Sequence, residues 1–344
     1  MSAMETRKIQ QVGGGTYTVS LPKEWATAAD IEPGAVVALH SHIDGTLVVQ
    51  TGVDEADATD PLALSVDDAD PACLERTLRA AYAAGIDTVE LDAPDGIADE
   101  THRLVEAVTR ELTGVTVTES NERTIRVRSL LDAEEVSITQ SVRQLQFAAL
   151  STHRDATAAL ASPTTDGTAG RDGQTERIAA MVDHYFERGL DSLSVMDALG
   201  LTRPELFVRW VTARELERVA DHAERIATVA GRLDAPVERE LAAEFGELAD
   251  RSRGLVRDAV AVVLDAADAA AARRLLGDAD ELCTDIRALD RRLFETEGVD
   301  YRLTHAVDGL RRTAESGGAI AEVGLRSLLR ERRSSAPLHV GSAQ

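Results

Sequence analysis

Two similar segments decide how the second half of this chain folds: LERVADHAERIAT at residues 216–228 and LRRTAESGGAIAE at residues 310–322. In both segments, small or apolar residues recur every three or four positions, which puts them on one face of an α-helix. These residues are Leu216, Ala220, Ala223 and Ala227 in the first segment and Leu310, Ala314, Gly317 and Ala321 in the second. The repetition predicts one helical unit built twice, with its two copies packed together.

The chain from Leu131 onward predicts six long helices in two groups of three, in a domain at residues 131–333. The expected helices are at residues 132–160, 174–190, 204–233, 237–267, 270–295 and 301–333. A glycine- and threonine-rich loop at 162–173 follows the first helix, and Asp234-Ala235-Pro236 separates the two groups. Residues 334–344 are expected to form a flexible tail.

Upstream of the helices, the chain predicts three shorter regions, so the whole is expected to be an α+β multidomain protein. Residues 1–50 carry β-branched and aromatic residues around the turns GGG at 13–15 and DG at 44–45, a pattern typical of small β-hairpins. Residues 51–69 predict an acidic linker without periodicity. Residues 70–130 alternate between helix and strand patterns in the order αβαββ.

The charge of the chain excludes some classes of function. Its formal net charge is −23, which disfavours a protein that holds nucleic acid or anionic membranes by general electrostatic attraction. The basic residues are 35 Arg and only two Lys, Lys8 and Lys23. An acid-rich, lysine-poor surface is typical of the salt-rich cytoplasm of a halophilic organism. A GC-rich genome that favours Arg codons is the alternative explanation.

The sequence predicts a cytoplasmic protein that is not an enzyme. Cys73 and Cys283 belong to no Cys/His cluster, so we expect reduced, buried thiols rather than zinc ligands. The N-terminus has no apolar signal segment and no stretch of 18 apolar residues occurs, so no membrane insertion is expected. No Ser, Cys or Lys lies in a recognisable catalytic setting.

The helical half resembles the PhoU family of phosphate-uptake regulators, which are built from two three-helix bundles. The resemblance covers residues 135–333, and its strongest part is LERVADHA at 216–223, similar to the acidic E-x-x-x-D motif of the family. The second repeat departs from the motif, because Arg311 replaces the first acid and only Glu315 remains. The resemblance implies a role in phosphate homeostasis.

The first 50 residues resemble the SpoVT/AbrB swapped-hairpin DNA-binding module. The resemblance is carried by SLPKEW at 20–25, IEPG at 31–34 and DGTLVV at 44–49, although Ala35 stands where the family usually has Asp. It implies a homodimer that binds promoter DNA. An AbrB-like module, a middle segment and a PhoU-like body in this order resemble an archaeal architecture for phosphate regulation.

Acidic residues of the first repeat are the candidate metal ligands. Glu217, Asp221 and Glu224 are three or four residues apart, so their carboxylates share one helix face and repel one another. The PhoU resemblance implies that iron or zinc binds such acids, and manganese is a third candidate; in the second repeat only Glu315 could contribute. Further ligands follow from spacing alone and are Asp183 and Glu187 in the first group or Glu281 and Asp285 in the second.

The alternative to a metal site is a solvated helix face. On such a face Glu217 pairs with Arg214 and Asp221 pairs with Arg225, contacts that contribute only about 0–1 kcal/mol each. His222, which follows Asp221, is then a structural residue. No histidine has a Glu three residues before it, which argues against a ferritin-like di-iron enzyme.

Arg7, Lys8 and Lys23 are the only Lys or Arg residues among the first 60 and the candidate DNA contacts. In a two-fold dimer they would supply six positive charges on one face, enough for contacts with backbone phosphates. Nearby acids such as Glu24 oppose this attraction. The alternative is a module that only dimerises.

The sequence thus predicts a cytoplasmic, homodimeric regulator that binds the promoters of phosphate-transport genes and represses or tunes them. The alternative is an adaptor that contacts the ATPase subunit of a phosphate ABC transporter, or a kinase, and does not bind DNA. A metalloenzyme or a metal-storage protein is a third hypothesis.

Overall fold

The computed structural model describes residues 6–13, 15–43, 45–51, 61–67, 70–161, 172–235, 237–265, 268–296 and 298–332. The chain divides into two compact units, Met1–Thr59 and Asp60–Gln344. Small hairpins, a sheet with helices and a large helical region form a mixed α+β architecture, which confirms the predicted fold class. The tail predicted at 334–344 and most of the loop predicted at 162–173 lie outside the described residues.

The N-terminal unit contains two β-hairpins with a short helix between them. Its elements are β1 Gln10–Val12, β2 Thr16–Thr18, α1 Lys23–Ala28, β3 Val37–Ser41 and β4 Leu47–Thr51. Strand β1 pairs antiparallel with β2, and β3 pairs antiparallel with β4, so both hairpins form around the predicted turns. Gly13 suits the first turn, because its φ of 67° lies in the left-handed region that side chains disfavour. Exchange of hairpins between two copies stays a prediction.

A four-stranded sheet with two helices begins the second unit. Its elements are β5 Leu62–Ser65, α2 Pro71–Ala83, β6 Thr88–Asp92, α3 Asp99–Glu111, β7 Val115–Ser120 and β8 Thr124–Ser129. The strand order is β5-β6-β8-β7, with β5 parallel to β6 and the other pairs antiparallel. Leu91 and Ile125 of the sheet share one hydrophobic core with Leu78 of α2 and Val105 of α3.

Strand β5 corrects the prediction of an acidic linker at 51–69. Leu62 pairs with Val89 and Ser65 pairs with Asp92, so this part of the supposed linker is an edge strand of the sheet. Only Leu62 and Leu64 carry the alternating pattern, which is too short to be recognised among acidic residues. Pairing with β6 stabilises the strand, and the region is therefore βαβαββ rather than αβαββ.

The rest of the second unit is helical. Its helices are α4 Ile138–Ala161, α5 Asp172–Asp191, α6 Leu193–Leu199, α7 Arg203–Ala230, α8 Arg239–Leu264, α9 Ala269–Glu295 and α10 Arg302–Arg332. The six long helices confirm the predicted series, although α4 begins later because a 3₁₀ turn occupies Ala133–Glu135. Helix α6 was not predicted; Ser192 caps its N-terminus, and Gly200, with a φ of 64°, ends it.

The two repeated stripes lie on α7 and α10, which pack against each other. Leu216 and Ala223 on α7, like Leu310 and Ala314 on α10, are completely buried. Helix α10 also contacts α8 and α9, and both hydrophobic cores of this region draw on helices from both groups of three. The two groups therefore form one helical body.

No helix among the described residues is long and apolar enough to cross a membrane.

Helix α5 joins the sheet to the helical body through buried polar contacts. The completely buried His184 donates from Nδ1 to the carbonyl oxygen of Tyr82 on α2 at 2.8 Å. The rings of these two residues stack with centroids 4.5 Å apart. Arg188 forms an ion pair with Asp87 at 3.3 Å. These contacts fix the position of the sheet on the helical body.

The two cysteines are free, but only one is buried. Cys283 lies in the core of the helical body, as predicted. Cys73 is exposed near the start of α2, so the prediction of a buried thiol is wrong there. The first turn of α2 buries Leu74 instead, which turns the neighbouring Cys73 toward solvent.

Candidate DNA-binding domain and acidic helix face

The three basic residues of the N-terminal unit are all exposed. Arg7 and Lys8 precede β1, and Lys23 is the first residue of α1. Because Gln10 pairs with Thr18, the chain segments that carry Lys8 and Lys23 both leave the first hairpin at its open end, opposite the turn. The structure thus shows all three side chains exposed to solvent. That they form one surface for neighbouring phosphates stays a prediction.

The N-terminal unit exposes its large apolar side chains. Between residues 6 and 49, only His42 is buried among the residues whose burial the structure describes. Exposed fractions reach 71% for Tyr17 and 75% for Val36. The other exposed members are Ile9, Val12, Val19, Leu21, Trp25, Leu39, Ile43 and Leu47. A module this small needs another surface to cover these side chains, since its described residues form no core of their own to offset the entropy of folding.

The sequence of this unit matches one known family. Residues 10–57 match the family described as "Antidote-toxin recognition MazE, bacterial antitoxin". Residues 10–57 are therefore similar to a MazE/AbrB-type domain. Such a domain indicates a regulator of the DNA-binding type and dimerisation, which agrees with its exposed apolar surface. No curated protein and no solved structure matches the chain.

In the helical body, the acidic face of α7 lies beside α5, with an arginine between the two helices. Arg214 donates to Glu217 Oε2 at 2.7 Å and to Asp183 Oδ2 at 3.2 Å. Asp183 also accepts a hydrogen bond from Trp210 Nε1 at 2.8 Å. The structure thus brings two of the candidate ligands together, but around a guanidinium, which cannot ligate a metal. The alternative pairing of Glu217 with Arg214 is confirmed.

Burial raises the pKa of two carboxyl groups on this helix face, those of Glu217 and Asp221. Removal of the carboxyl from water raises the pKa of Glu217, an effect that Arg214 opposes and that Asp183 and Asp221 increase. Burial likewise raises the pKa of Asp221, with the charge of Arg225 opposing it. Each of the two carboxylates is therefore stabilised in its charged form by a nearby arginine, Arg214 for Glu217 and Arg225 for Asp221.

The other candidate ligands lie elsewhere in the helical body. Asp285 on α9 forms an ion pair with Arg251 of α8 at 2.6 Å. Glu315 lies on α10, where its carboxylate accepts from Arg311. Within the described ranges, no group of three or more His, Cys, Asp or Glu could hold a metal ion. The described residues therefore do not assemble the metal cluster that the PhoU resemblance implies.

Purified protein is expected to hold far less than one iron, zinc or manganese ion per chain, because Arg214 occupies the position between Asp183 and Glu217. Elemental analysis of the dialysed protein measures this content. Arg214→Gln is the informative variant, since it removes the competing cation and keeps both acids. A stoichiometric metal in the wild-type protein that is lost in Glu217→Gln would contradict this expectation.

A buried polar cluster elsewhere in the helical body was not indicated by any sequence pattern. His153 of α4 is completely buried, and its Nδ1 accepts a hydrogen bond from Arg253 Nη1 of α8 at 3.1 Å. The same Arg253 nitrogen donates to Thr157 Oγ1 at 3.0 Å. Burial, reinforced by the charge of Arg253, lowers the pKa of His153 to about 3. Burial also lowers the pKa of His222 to about 4, which agrees with a structural role for that residue.

Proposed function

We propose that this protein is a homodimeric regulator that binds the promoters of phosphate-uptake genes through its N-terminal MazE/AbrB-type domain. The family match at residues 10–57 carries the DNA-binding part of this proposal. The exposure of Arg7, Lys8 and Lys23 to solvent supports it. The phosphate part is supported by the resemblance of residues 216–223, and of the six long helices, to the PhoU family.

Dimerisation serves this function in two physical ways. A second copy covers the apolar side chains that the N-terminal unit leaves in water, which stabilises the folded domain. It also doubles the three basic residues of one copy, so a two-fold dimer presents six positive charges to a two-fold DNA site. Because the whole chain is acidic, these charges are needed locally to overcome its repulsion from DNA.

The helical body transmits phosphate status to the DNA-binding domain. It does so by favouring one of two conformations of the dimer, whose affinities for the promoter differ. The buried contact of His184 on α5 with Tyr82 on α2 couples the helical body to the sheet region that follows the DNA-binding domain in the chain.

Lys8→Ala combined with Lys23→Ala is expected to weaken promoter binding at least tenfold at about 0.1 M salt. The double variant removes four charges from a dimer, so the slope of log affinity against log salt should become shallower by roughly 3 to 4. Fluorescence anisotropy with labelled promoter DNA at several salt concentrations measures both quantities.

The matched control removes two exposed arginines from α9, Arg273→Ala with Arg291→Ala. This variant has the same net charge as the double lysine variant and should bind as tightly as the wild-type protein. Equal losses in the two variants would mean that net charge, rather than the hairpin face, controls the affinity.

Genome-wide occupancy of the tagged protein tests the complete proposal. Cells are compared in phosphate-replete and phosphate-starved medium. Peaks upstream of phosphate-transport genes that change with phosphate are the expected result. Peaks only at other genes would support DNA binding and contradict the role in phosphate regulation. No enrichment in either medium would favour an adaptor that acts by protein contact.

A further inference from the structure

An apolar groove lies at the end of the helical body where α10 terminates. Its volume is about 440 Å³, within the range of pockets that bind ligands or anchor residues of a partner. It is formed by the end of α5, the start of α7 and the end of α10. The lining residues are Phe186, Leu190, Arg203, Pro204, Leu206, Phe207 and Arg330.

The groove has exposed apolar side chains around a rigid aromatic floor. Leu190 is 52% exposed and Phe207 is 43% exposed. The ring of Phe186 stacks on Trp210 with centroids 4.3 Å apart, and the indole Nε1 of Trp210 is held by Asp183. Aromatic side chains that are already ordered lose little entropy on binding, which is why they serve as anchors at interfaces.

The charge of the groove differs from that of the chain around it. Acidic residues outnumber Lys and Arg by 60 to 37 in the chain, yet no Asp or Glu lines this groove. By comparison, the groove between α8 and α9 includes Asp258, Asp265 and Asp278. Arg203 and Arg330 line the apolar groove, and neither forms an ion pair with another described residue.

We propose that this groove docks an acidic amphipathic helix of a partner protein. Apolar residues spaced three or four positions apart on that helix would contact Phe186, Leu190 and Phe207. Carboxylates flanking them would pair with Arg203 and Arg330, which gives the contact its charge preference. The proposal does not depend on the DNA-binding function, since the groove is formed entirely by the helical body.

Trp210 provides a direct reporter for the test, because the chain has only one other tryptophan, Trp25. In the full-length Trp25→Phe protein, a synthetic helix of Leu and Glu in amphipathic order is titrated while tryptophan emission is followed. A saturable change in Trp210 emission is the expected result. A Leu and Lys helix of the same pattern should leave the emission unchanged, although the acidic surface attracts it.

Charge variants locate the contact. Arg203→Gln with Arg330→Gln should weaken binding of the Leu and Glu helix at least tenfold. The control Arg273→Gln with Arg291→Gln lowers the net charge equally at exposed positions on α9 and should bind as the parent does. Circular dichroism confirms that both variants stay folded.

Other outcomes would overturn the proposal. These are an unchanged emission with the acidic helix, or equal affinity in the two double variants. An emission shift caused by deleting residues 333–344 alone would assign the groove to the tail of this chain. An emission that changes with protein concentration, together with a rise in mass by sedimentation, would assign it to a second copy.

Discussion

Gly317→Val is expected to lower the unfolding free energy by about 3 kcal/mol, because α10 approaches α8 too closely at this position to admit a side chain. A Cβ atom there would lie 2.9 Å from Leu255 Cγ and 3.3 Å from Val256 Cγ2. Both neighbours are buried in the cores of the helical body and cannot move without displacing others. Chemical denaturation followed by circular dichroism measures the change.

Two further glycines of α10 show the same restriction. A Cβ at Gly309 would lie 2.8 Å from Ile226 Cγ1 on α7, and one at Gly324 would lie 2.8 Å from Val262 Cγ1 on α8. Glycine thus lets α10 pack closely against two helices. Gly309→Val and Gly324→Val should destabilise the protein in the same way as Gly317→Val.

Gly277→Ala is the matched control for these variants. Gly277 is an exposed residue of α9, and a Cβ there meets no atom within 4 Å. The variant should raise the unfolding free energy by roughly 0.5–1 kcal/mol, since alanine loses less backbone entropy than glycine in a helix. Equal stability of Gly317→Val and the wild-type protein would show that α10 does not pack as described.

Acid is expected to destabilise the helical body through His153 well before most carboxylates are protonated. In the folded protein, burial lowers the pKa of this residue to about 3, whereas an unfolded histidine titrates near 6.5. Between these pH values the unfolded chain binds a proton at this histidine and the folded chain does not. The contribution of neutral His153 to the unfolding free energy is therefore full above pH ~6.5 and falls as the pH decreases. The loss attributable to His153 between pH ~7.5 and ~5 is about 2 kcal/mol.

Two variants separate His153 from the other titrating groups. His153→Gln keeps an acceptor for Arg253 but cannot take up a proton, so its unfolding free energy should fall about 2 kcal/mol less over that pH range. His305→Gln removes an exposed histidine of α10 and should keep the wild-type dependence. If His153→Gln and the wild-type protein lost stability equally, His153 would not be buried in its neutral form.

Local patterns predicted much of the fold correctly. The stripe from Leu216 to Ala227 and its counterpart from Leu310 to Ala321 were assigned to packed helices, because a buried helix face needs apolar residues at helical spacing. The same patterns missed β5, in which two leucines become a strand only by pairing with β6. They also missed α6, although Ser192 and Gly200 are ordinary cap residues.

The candidate sites were predictable to a smaller extent. Arg7, Lys8 and Lys23 are exposed beside the first hairpin, as a DNA-binding surface requires, and their contact with DNA stays a prediction. Glu217, Asp221 and Glu224 lie on one helix, α7, as their spacing predicts, and their role as metal ligands stays a prediction. The sequence did not predict that Arg214 bridges the acidic face to Asp183, because Asp183 lies on a different helix, α5.

The sequence by itself determined the similarity of residues 10–57 to a MazE/AbrB-type domain, the six long helices and the buried face of each repeat. These features follow from residues close together in the chain, whose spacing sets which of them share a face. Only the tertiary structure decided that Arg214 lies between Asp183 and Glu217, that burial beside Arg253 keeps His153 neutral, and that an apolar groove opens beside Arg330. These features join side chains from helices far apart in sequence, and their contacts arise when the helices pack.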